Sequence, residues 1–83
     1  MRFYFHLHND VSTHDDEGVE LPDEAAARRY ARQAARTMAA ESVIQGHLDL
    51  SHFVQVTDDA GTLLFNMTFG DAVEVKDTPA ANS

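Results

Sequence analysis

The chain has 83 residues, no cysteine and a formal net charge of −8. That length allows one domain with a modest core, near the lower edge of independent stability, and the missing thiols exclude disulfides and thiolate metal sites as reinforcement. The negative charge repels nucleic-acid phosphates, which sets DNA and RNA aside as partners.

The opening, Met1-Arg2-Phe3-Tyr4-Phe5-His6-Leu7-His8, is apolar but short and broken by histidines. It lacks the continuous apolar run of a signal peptide, and no window approaches the roughly 20 apolar residues of a membrane span. A soluble cytoplasmic protein without membrane association is expected. Over residues 2–8 the side chains alternate, with Phe3, Phe5 and Leu7 on one side and Arg2, Tyr4, His6 and His8 on the other. A period of two with aromatics predicts a β-strand with one face on the core.

Residues 9–16 are polar and turn-prone, and residues 18–21 read as a short strand returning beside the first. Pro22-Asp23-Glu24 is a helix start, since Asp23 caps free backbone N–H groups and Glu24 suits the positive end of the dipole. The helix is expected to run to about Gln45, with Gly46 as its stop. Ala27, Ala31, Ala34 and Met38 form its central apolar stripe, flanked by Tyr30, Ala35 and Ser42.

Residues 47–51 connect to a strand at 53–57, with Val54 and Val56 on one face. Asp58-Asp59-Ala60-Gly61 is a tight turn in which Gly61 supplies a positive φ. Residues 62–69 are the second arm, with Leu63, Phe65, Met67 and Phe69 on one face and Leu64, Asn66 and Thr68 on the other. Residues 70–75 make a turn or short final piece, and residues 76–83 have the composition of a frayed tail. The expected architecture is therefore one α+β domain over residues 1–75. It is a two-layer sandwich in the order β-(β)-α-β-β, with one helix on an antiparallel sheet of three or four strands.

The sheet face turned away from the helix carries Tyr4, His6, His8, Leu64 and, by the same alternation, Phe53. That half-apolar face is the first candidate for a homodimer or partner surface. The helix supplies a second. Arg28, Arg32 and Arg36 recur at i, i+4 and i+8 with Arg29 alongside, placing four of the six cationic residues within nine positions. Such a ridge suits an acidic protein partner or phosphate-bearing ligand, although Glu24, four residues before Arg28, also fits a solvated helix face.

His6 and His8 are the candidate metal ligands. At i and i+2 on a strand they share a face, and His14, Asp10, Asp15 or Asp16 can add ligands if the loop folds back. The alternative is two polar residues on a half-exposed face, one of them hydrogen-bonded to a neighbouring strand or the acidic loop. The acids of residues 10–20 do not match a calcium loop in spacing, and no glutamate occupies its twelfth position. Catalysis has no foothold: Ser12, Ser42 and Ser51 lack a nucleophile-elbow setting, the four glycines are isolated, and His14–Asp15 is only a sequence neighbour. No cofactor is implied.

Taken together, Arg2-Phe3-Tyr4-Phe5-His6, the segment Asp16-Glu17-Gly18-Val19-Glu20-Leu21-Pro22-Asp23, the alanine-rich helix and the hairpin from Val54 to Gly61 resemble a family of small proteobacterial proteins. That family is catalogued as a domain of unknown function and is frequent in soil and plant-associated alphaproteobacteria. The resemblance spans about residues 2–75 and is most specific at Glu20-Leu21-Pro22-Asp23. It brings no assigned activity, cofactor or catalytic residue. It implies that His6 and residues 18–23 matter to the fold or to a shared surface, and it weighs against an enzyme. The functional expectation is a non-enzymatic protein-interaction or accessory domain. A small metal-binding or sensing protein using His6 and His8 is the alternative.

Overall fold

The computed structural model describes residues 1–77. Its elements are β1 (Arg2–His8), β2 (Ser12–Thr13), β3 (Val19–Glu20), α1 (Glu24–Ile44), β4 (Phe53–Thr57), β5 (Leu63–Thr68) and α2 (Phe69–Ala72). The strands form one antiparallel sheet of five, with the order β2-β1-β4-β5 and β3 also on β1. The α+β architecture stands, with more strands than expected. The extra strand is β2, where the polar residues after His8 turn back so that Ser12 and Thr13 pair with His8 and Leu7. The expected tail lies, from residue 78 onward, outside the described residues.

The helix ends are set locally. Asp23, in an extended conformation, accepts the Ala26 N–H at 2.8 Å. At the other end the N–H groups of His47 and Gly46 return to the carbonyls of Ser42 and Val43 at 3.0 and 2.9 Å, the paired bonds of a glycine-terminated helix. The buried stripe of α1 is Ala27, Ala31, Ala35 and Ala39, continued by Ser42. The sequence reading shares Ala27 and Ala31 but continues the stripe through Ala34 and Met38, which instead pack partly buried at its side. Alanines dominate both registers, so the sheet decides between them: small side chains at every fourth position let the helix axis settle close onto Phe3, Phe5, Val54 and Val56.

The β4–β5 hairpin forms on the predicted turn. Asp58 Oδ1 accepts the N–H groups of Ala60 and Thr62, each at 2.9 Å, and Gly61 sits at φ +81°. A register shift follows at Val56/Thr57, where Thr57 pairs with Leu63 and Val56 with Phe65. That bulge reverses one expectation. Leu64, placed by alternation on the outer face, packs against the core, whereas Leu63 is exposed. One extra residue in a strand inverts the facing of what precedes it. Phe69, expected on the strand, opens α2 and is fully buried. Thr68 and Asp71 cap that short helix reciprocally.

Candidate functional site

The backbone groups of Phe3, Phe5 and Leu7 point away from β4, and three separate pieces of chain meet them. β3 pairs with Arg2 and Phe3, and β2 pairs with Leu7 and His8. Between them residues 14–18 leave the strand path, and the Asp15 side chain takes over. Its Oδ2 accepts the Phe5 N–H at 3.1 Å, and its Oδ1 accepts the N–H groups of Glu17 and Gly18, also at 3.1 Å. Partial burial pushes the Asp15 carboxyl up, but the three backbone donors of Phe5, Gly18 and Glu17 outweigh it and hold the group below its ordinary range.

His6 completes this node from the outer face. It is buried, and both ring nitrogens are engaged. The Asp15 N–H donates to Nδ1 at 3.1 Å, and Nε2 lies 3.1 Å from the Thr57 hydroxyl. Because a backbone N–H can only donate, Nδ1 holds the lone pair and the proton sits on Nε2, which donates to Thr57. The His14 ring stacks on His6 at 4.4 Å. Burial, the first cause, and then the neighbouring His14 lower the His6 pKa, against the opposing pull of Asp15.

His6 and His8 share a face, and both His6 nitrogens already have hydrogen-bond partners in Thr57 and Asp15. His8 stacks on Phe53 at 4.6 Å and turns Nδ1 toward Ser12 at 3.4 Å. Among the described residues no group of three or more histidine or acidic side chains is placed to hold a metal ion. His6 is likewise not part of an exposed outer surface, since His14 and Asp15 lie over it. What remains open on that face is a cleft of about 380 Å³ bordered by Tyr4, Gln55, Asp16, Asp58, Asp59 and His14. The acids make it negative, and Asp15 and Asp58 on its wall are already spent on backbone N–H groups.

The arginines divide into two kinds. The Arg28 guanidinium lies over the Phe65 ring, 4.2 Å from its centroid, and pairs with Glu24 at 3.2 Å. Arg36 donates from Nε to the Ala72 carbonyl at 2.7 Å, tying α1 to α2. Among the described residues Arg29 and Arg32 make no hydrogen bond or ion pair. Arg28 and Arg36 fix the ridge along the β5 side of α1, while Tyr30 on the other flank meets Phe5 at 4.5 Å.

Sequence reasoning did not find the role of Asp15, which it took as turn chemistry or a spare ligand. Its spacing to Glu17 and Gly18 is a readable turn signal, but its bond to Phe5 spans ten residues and depends on the gap between β2 and β3. His52, between Asp49 at 3.3 Å and Asp10 at 3.7 Å, likewise carries no local sequence signal. That cluster ties the loop before β4 to the loop after β1.

No helix among the described residues is long and apolar enough to cross a membrane. No curated protein and no solved structure matches the chain. A family model does match, over residues 2–70. With the greater part of its length in that match, the chain belongs to the family described as Domain of unknown function (DUF6894).

Proposed function

We propose that this chain is a non-enzymatic interaction or accessory domain that docks an acidic protein surface along the arginine flank of α1. The observation that carries the reading is the partition of that flank. Arg28 and Arg36 are anchored to Phe65 and Ala72. Arg29 and Arg32 stand on the same helix without a partner among the described residues. In a chain of net charge −8, four of six cations on one helix flank form a local field opposite to that of the body. Such a field steers an acidic partner and orients it. Arginine, with a planar fork of donors, suits carboxylates. The anchored pair supplies rigidity, and the free pair supplies the contacts.

The test compares the wild-type chain with Arg29→Glu/Arg32→Glu, immobilised and exposed to cytosol of the source cells at low salt. Bound material is sized and identified by mass spectrometry, and melting curves check that both chains fold. A stoichiometric partner that is lost in the variant and eluted by salt supports the reading. Identical retention by both chains, or a self-dimer with nothing else bound, refutes it.

A further inference from the structure

We propose that His6 and residues 14–18 form a proton-released latch. With His6 neutral, its Nδ1 holds the Asp15 backbone against β1; protonation of His6 releases that segment and uncovers the middle of the outer edge of β1. This inference is independent of the arginine flank.

The geometry requires the coupling. Nδ1 accepts the Asp15 N–H at 3.1 Å, so a second proton on the ring has nowhere to go except against that donor. Two N–H groups would then face each other where one hydrogen bond stood. Nε2, already the donor to Thr57 at 3.1 Å, offers no alternative site. Either the ring or residues 14–18 must move. The ring is buried beneath His14 and beside Thr57, whereas His14, Asp16 and Glu17 are exposed and belong to no helix or strand. The segment is therefore the part that yields.

The charged surroundings set the direction. From the segment itself His14, Asp15 and Asp16 face His6, and from β1 His8 and Tyr4 do. β4 contributes only the neutral Gln55 and Thr57, and the β4–β5 turn brings Asp58 and Asp59 to the rim of the same cleft. Burial and His14 oppose a charge on His6 more strongly than Asp15 favours one, so the imidazole gains its proton below the ordinary 6.5. The Asp15 carboxylate, held below its ordinary range, stays ionised there. The response is thus that of the imidazole, below its ordinary 6.5.

Release has a defined structural consequence. Asp15 is the acceptor for the Phe5 N–H, at the place where neither β2 nor β3 reaches. Moving residues 14–18 leaves that donor unpaired and opens the groove beneath, lined by Phe5, Leu7, Val19, Tyr30 and Ala34.

The experiment is residue-resolved amide exchange on the whole chain at about pH 7.5 and at a pH low enough that nitrogen-15 NMR shows the His6 ring protonated, corrected for intrinsic rates. The expected result is a loss of protection of about tenfold or more at Asp15 and Phe5, coincident with His6 protonation, while Val56 in the centre of the sheet is unchanged. His6→Gln, which cannot gain a proton, abolishes the pH response, and His14→Ala retains it. Flat protection in the wild type overturns the latch, as does an unchanged response in His6→Gln. If His6→Gln does not fold, the ring of the wild type decides: a neutral form protonated on Nδ1 overturns the latch, and one protonated on Nε2 supports it.

Discussion

The carboxylate of Asp15 accepts the backbone N–H of Phe5 at 3.1 Å, across ten residues of sequence, and so replaces the neighbouring strand that β1 lacks at that point. With Glu17 and Gly18 as further donors, one side chain satisfies three backbone groups. Asp15→Ala leaves the Phe5 and Gly18 donors part-buried and unpaired, and is expected to lower stability by about 2–3 kcal/mol in urea unfolding. Asp15→Asn retains one acceptor oxygen and is expected to lose about half as much. Equal stability of Asp15→Ala and wild type would show that water serves these donors as well.

Stability is expected to fall with acid in two separate windows. A His6 pKa below the ordinary 6.5 in the folded chain means that the unfolded chain binds more protons just beneath that pH. Stability is therefore full above about 6.5 and declines as pH falls from there to the folded pKa. An Asp15 pKa below the ordinary 3.8 acts the same way lower down: its contribution is present above about 3.8 and is lost as pH falls through the folded value. Urea midpoints measured across pH check this, and His6→Gln is expected to remove the upper window and leave the lower one.

Gly18 has φ +71°, and a Cβ there would lie 2.9 Å from Arg2 Cγ and 3.0 Å from the Phe3 carbonyl oxygen. Both the backbone conformation and the close approach exclude a side chain. Gly18→Ala is expected to cost about 2–4 kcal/mol, visible as a lower melting temperature, whereas Gly46→Ala, with open space around its Cβ position, loses only the cost of its left-handed backbone, about 1 kcal/mol. A Gly18→Ala chain as stable as Gly46→Ala would contradict this.

The arginines are expected to separate in an alanine series. Arg28→Ala loses the face of Phe65 and Arg36→Ala leaves the Ala72 carbonyl without its donor, each costing about 1 kcal/mol. Arg29→Ala and Arg32→Ala stay within about 0.5 kcal/mol of wild type. Chemical unfolding of the four single variants measures this, and a uniform series would remove the distinction between anchored and free arginines on which the docking surface rests.

Local order in this chain is readable without coordinates. Alternation in Arg2 to His8 marks β1, Asp23 and Gly46 bound α1, and Asp58 to Gly61 turns the final hairpin, because each signal acts between neighbours in sequence. Three things waited for the tertiary structure. The choice between Ala34 and Ala35 for the buried face of α1 depends on how the helix rolls on the sheet, and a stripe of alanines carries little preference. The inversion of Leu63 and Leu64 follows from a bulge whose position is set by pairing with Thr57. The node of Phe5, His6 and Asp15 exists only where β2 and β3 leave the edge of β1 open. Composition and spacing report which groups are polar; only the fold decides which backbone donors lack partners, and that need is what gives His6 and Asp15 their roles.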